Sequence, residues 1–83
     1  MRLADGVAAT DTADGLVLLN QRTGIFWQVN GSGRMVVQLL LAGNDQTAAV
    51  GQLVRSYRVS TQQAADDVAA LVAQLRSAGL VTG

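Results

Sequence analysis

The first thirty residues carry their hydrophobic side chains in short, strand-length runs, and the rest carry them at helical spacing. Residues 3–10 are mostly small with Val7 at their centre, a weak strand candidate. Asp11-Thr12-Ala13-Asp14-Gly15 holds an Asp-Gly step, a strong turn signal. Residues 16–20, Leu-Val-Leu-Leu-Asn, form an apolar run of strand length. Gln21-Arg22-Thr23-Gly24 reads as a four-residue hairpin loop, with Gly24 at its left-handed closing position. Residues 25–30 make a third strand, in which Ile25, Trp27 and Val29 share one face and Phe26 and Gln28 the other. Such short connections predict an antiparallel meander.

After Asn30 the period becomes helical. Met35, Val36, Leu39 and Leu40 mark a helix over 32–42, with Asn30 or Ser32 as N-cap and Gly43 as the stop. Asp45 caps a second helix over 46–57, with Val50, Leu53, Val54 and Tyr57 as its stripe. Gly51 inside that helix costs up to about 1 kcal/mol relative to Ala, which suggests close packing against a neighbour. A third helix spans 61–78. Ser60-Thr61-Gln62-Gln63 fits a capping box, and Val68, Leu71, Val72 and Leu75 recur at i, i+3, i+4 and i+7. Asp66 and Asp67 precede Arg76 in the order the helix dipole favours, and Gly79-Leu80 reads as a Schellman stop with Leu80 folding back on Leu75. The expected fold is α+β and winged-helix-like: a three-stranded antiparallel meander followed by three helices, in one domain over 1–83.

Composition narrows the function. The chain has 83 residues, six Arg, six Asp and no Lys, Glu, His, Cys or Pro. No disulfide, thiolate zinc site, thiol nucleophile or imidazole-based catalysis is open to it. Zero net charge argues against a protein that coats nucleic acid. The longest apolar run is far too short to span a bilayer, and the first residues lack the apolar stretch of a secretion signal, so a cytoplasmic protein is expected.

Three kinds of chemistry compete. For catalysis, Asp66 and Asp67 are neighbours on a helix and diverge by about 100°, so they cannot face one another as a dyad. Gly31-Ser32-Gly33 stands where a phosphate loop would, without the longer fingerprint or the lysine. No catalytic residue, metal site or cofactor is expected. For DNA, helices two and three resemble a helix-turn-helix, but the recognition helix would present Asp66 and Asp67 to phosphates, and Arg76 lies about 15 Å further along its axis. For peptide recognition, the third strand is the last of the meander. If the strands lie in sequence order it is an edge, rich in β-formers and guarded by no charge or Pro. Beside an amphipathic helix, such an edge suits the addition of an extended peptide. Trp27, Phe26 and the Val68–Leu75 stripe also make sense as plain core, and Asp66 and Asp67 as a solvated helix start.

Several stretches together resemble a known family. Gly15-Leu16-Val17-Leu18-Leu19-Asn20 followed by Thr23-Gly24-Ile25-Phe26-Trp27-Gln28-Val29-Asn30 is similar to the strand pair of PqqD-like domains. Gly33, Leu39-Leu40 and Gly43 match the continuation. Ser56-Tyr57-Arg58-Val59, Ala65-Asp66-Asp67-Val68 and Leu75 with Gly79-Leu80-Val81 match the ending. The chain looks most like the stand-alone versions found in lasso-peptide gene clusters. The resemblance implies a RiPP recognition element, a domain that binds the leader of a ribosomally made precursor peptide. The leader would dock as an added strand on Ile25, Phe26, Trp27, Gln28 and Val29, beside Ala64, Asp67, Val68 and Leu71 of the third helix. A Tyr-x-x-Pro segment common in lasso leaders would need an apolar pocket between Trp27 or Phe26 and Leu71, and Asp67 could meet a basic leader residue. The implied partners are a leader peptidase and an ATP-dependent macrolactam cyclase, with no nucleic acid and no membrane. A recognition element for another such pathway, one using radical-SAM modification for example, and a small winged-helix DNA-binding protein are the alternatives. Two features depart from the family pattern: Val29 replaces the commoner Leu, and Thr47-Ala48-Ala49 stands where the second helix usually carries Glu.

Overall fold

A computed structural model describes residues 1–83. The strands are β1 (Arg2–Leu3), β2 (Val7–Thr12), β3 (Gly15–Asn20) and β4 (Phe26–Asn30). The helices α1 (Gly31–Leu41), α2 (Gln46–Tyr57) and α3 (Thr61–Ser77) follow, and β5 (Val81–Thr82) closes the chain. The meander β2-β3-β4 is antiparallel in sequence order, as the short turns required, and the three helices follow it.

The expected first strand is divided. Gly6, at φ +80°, bends the chain between β1 and β2, so a second turn at Asp5-Gly6 precedes the expected one within Asp11–Gly15. The β2–β3 hairpin pairs Thr12 with Gly15 across a two-residue loop of Ala13 and Asp14, and Gly15 is the first residue of β3. At the β3–β4 turn, Asn20 Oδ1 accepts from the Arg22 and Thr23 N–H groups, and Gly24 takes the expected left-handed φ of +77°. β1 pairs with β5 in a second, two-stranded sheet (Arg2 with Thr82, Leu3 with Val81) that clasps the two ends of the chain. Two residues carry no readable period, so sequence pattern did not reveal this sheet.

The helix caps follow the sequence closely. Asn30, Asp45 and Ser60 each accept from the backbone N–H three residues on. Half of the capping box is absent: the Gln63 amide does not return to Ser60 but donates to Asp67 Oδ1 at 2.8 Å. Leu80 N–H bonds Leu75 C=O and Gly79 N–H bonds Arg76 C=O, the two bonds of a Schellman stop. Gly51 differs from expectation. A Cβ there would meet only the flexible Arg55 guanidinium, so the glycine makes no close helix–helix approach.

Two apolar clusters form the core. Leu16, Leu18, Val29, Val37, Leu75, Leu80 and Val81 pack under the sheet. Val36, Leu40, Ala49, Leu53, Ala64, Val68 and Val72 pack among the helices. Leu71 packs against both clusters. On α1 the buried face is Val36, Val37 and Leu40, rotated from the expected stripe because α1 must cover the sheet as well as α2; Met35 and Leu39 are half-buried.

Candidate functional site

β4 is an outer strand of the three-stranded sheet, and its pairing phase follows from one hydrogen bond. Asn20 N–H donates to Ile25 C=O at 2.8 Å, so directly opposed residues alternate from there between bonded and non-bonded pairs. Trp27 and Val29 turn their main-chain groups toward β3. Phe26 and Gln28 turn theirs away from it, to the open edge.

Side chains follow the other alternation. Val29 is buried and Trp27 half-buried, both toward the helices, while Phe26 and Gln28 face solvent on the outer side of the sheet. Phe26 is 63% exposed. Ile25 shares the parity of Trp27 but precedes the strand and is exposed, because the turn at Gly24 lifts it off the core.

A groove of about 500 Å³ runs along this edge. Trp27, Gln28, Val29 and Asn30 form one wall and Asp67, Val68 and Leu71 of α3 the other. Val36 and Leu53 line it further, and Ser32 with Gly33 closes one side. The first turn of α1 lies tightly on β4 there: a Cβ on Gly33 would stand 3.1 Å from the Val29 Cβ. Tyr57 and Val59 complete the rim. They are set by the α2–α3 turn, where Arg58 adopts a left-handed conformation (φ 45°, ψ 40°).

Asp67 is the only charged residue lining this groove. No polar or charged side chain of the chain is buried, and no group of three or more Asp residues comes together. The opposite edge of the sheet is different. There Asp11 of β2 accepts from Arg34 Nε of α1 at 2.8 Å, beside a second groove of about 480 Å³. The hydrogen bond from Arg34 holds the Asp11 carboxyl below the usual aspartate range, and the same bond raises Arg34. A charged pair marks this second edge, whereas the strand residues of β4 carry no charge.

Of the residues singled out from sequence, Trp27, Gln28, Val29, Asp67, Val68 and Leu71 lie together on the groove. Phe26 and Ile25, both exposed, do not line it. Ala64 lies beneath it, fully buried in the helical cluster. Asn30, Ser32, Gly33, Val36, Leu53, Tyr57 and Val59 were not singled out as site residues. Only Tyr57 carried a signal, as an aromatic at the end of an apolar stripe before a short turn.

The sequence pattern of the family described as Coenzyme PQQ synthesis protein D (PqqD) matches residues 15–81. No curated protein matches the chain significantly in sequence. Among solved structures, lasso peptide synthetase B1 complexed with the leader peptide is 34% identical, with a TM-score of 0.92 over 99% of this chain and 96% of that one. TbiB1 in complex with the TbiA(beta) leader peptide shares the fold, at 24% identity and a TM-score of 0.89 over 100% of this chain and 96% of that one.

Proposed function

The chain belongs to the PqqD family, and from that premise we propose that it is a recognition element for the leader segment of a ribosomally made precursor peptide. The leader adds to β4 as a further strand, pairing with the outward main-chain groups of Phe26 and Gln28. Its groove-facing side chains enter the space between Trp27, Val68 and Leu71. A Tyr-x-x-Pro segment places its ring there; Phe26 faces the other side of the sheet and contributes backbone only.

The observation that carries this reading is the coincidence of an open, uncharged strand edge with an apolar groove along the same edge. Main-chain pairing supplies register, at about 0.5–1.5 kcal/mol for each hydrogen bond, and the groove supplies selectivity. The likeness to lasso peptide synthetase B1, solved with a leader peptide, supports the same class of ligand. In this reading the domain does no chemistry. It hands the leader-bound precursor to a separate leader peptidase and an ATP-dependent macrolactam cyclase in the cytoplasm. No helix of the chain is long and apolar enough to cross a membrane.

Fluorescence anisotropy with a labelled synthetic leader tests this. The leader binds with weak salt dependence, and changing its Tyr or Pro to Ala weakens binding about ten-fold or more. Binding of duplex DNA with a steep salt dependence, and of no leader, would overturn the proposal.

A further inference from the structure

We propose that Asp67 selects a leader carrying Lys or Arg two residues from the side chain that fills the apolar groove. This inference rests on the leader-binding reading and adds a charge and a spacing to it. Asp67 and Leu71 lie on the same wall, four residues apart on α3, which is about 6 Å along the helix. Two residues of an extended chain advance about 6.6 Å and return the side chain to the same face. In the proposed pose a strand added to β4 follows α3 between the two walls, so when one side chain rests on Leu71 the next on that face arrives at Asp67. A residue one position away points instead to the outer face, with Phe26 and Gln28.

The carboxylate is prepared for such a partner. Gln63 Nε2 donates to Asp67 Oδ1 at 2.8 Å, which fixes the side chain, and Oδ2 accepts no hydrogen bond from the protein. No Arg lines the groove, and none forms an ion pair with Asp67. A docked strand would exclude water from one side of the pair, which strengthens it relative to a fully solvated one. Asp66 supplies the contrast. It is adjacent in sequence and held in the same way by Gln62 (Nε2 to Oδ1, 3.0 Å), but it does not line the groove.

The test uses a synthetic leader containing the Tyr-x-x-Pro segment with no charge within two residues of its Tyr. Variants place a single Lys one or two residues before or after that Tyr. One of the two-residue placements binds about five-fold more tightly than the parent, and neither one-residue placement does. Asp67→Asn removes the gain, and Asp66→Asn, whose side chain does not line the groove, preserves both the gain and the parent's affinity. A gain that is equal at odd and even spacings, or that survives Asp67→Asn, overturns the inference and leaves leader binding intact. A parent peptide that does not bind overturns the leader-binding reading and this inference with it.

Discussion

Gly15 stands directly against Val29: a Cβ added to the glycine would collide with the Val29 carbonyl oxygen. That approach draws the start of β3 close to the end of β4, where Asn30 then caps α1. Gly15→Ala, a change that usually favours a strand, is expected to destabilise the domain by about 1–3 kcal/mol through overpacking against backbone. Urea denaturation at matched m-values checks this, and a neutral result would mean that the strand pair can separate at no cost.

The phase of the β3–β4 ladder separates two proline substitutions. Gln28 directs its N–H to the open edge, so Gln28→Pro should leave the circular dichroism spectrum native-like while weakening leader binding about ten-fold. Trp27 directs its N–H into β3, so Trp27→Pro should cost about 3 kcal/mol or more and disrupt the sheet. Spectra and leader titrations of the two variants side by side measure the difference.

Arg58 is the only non-glycine residue with positive φ. Its left-handed backbone costs about 1–2 kcal/mol, part of which Gly would recover at the expense of a more flexible unfolded chain. Arg58→Gly should therefore stabilise the domain by roughly 0.5 kcal/mol, and the β-branched Arg58→Val should destabilise it by more than that. Thermal melts of both variants give the sign.

The Arg34–Asp11 pair makes stability pH-dependent in one direction. The Asp11 carboxyl titrates lower in the folded chain than in the unfolded one, mainly through its hydrogen bond from Arg34. The contribution is therefore complete above the ordinary aspartate range and is lost as pH falls through the depressed folded value. Both side chains are solvent-exposed, so the effect is small and screened by salt. In Arg34→Gln, the Asp11 carboxyl resonance should titrate at the ordinary aspartate position, and this acid-side dependence should weaken.

The sequence alone determined the meander and the three helices that follow it, the caps of the second and third helices, Asn30 as one of two candidates for the first, and the Schellman stop. Each is written in local chemistry: an Asn, Asp or Ser beside the first helical turn, a glycine past the last, an apolar period of two or about 3.6. It also determined which strand edge goes unguarded, because the absence of charge in residues 25–30 needs no coordinates to see. Tertiary structure decided what locality cannot. The β1–β5 clasp joins residues nearly eighty positions apart, and two-residue strands leave no period to read. The groove's far rim comes from Tyr57 and Val59, brought there by the left-handed turn at Arg58. Phe26 and Trp27 are adjacent aromatics in sequence. Pairing against β3 sends one to solvent and the other to the groove, because side chains in a strand alternate and only the packed helices decide which face is inside.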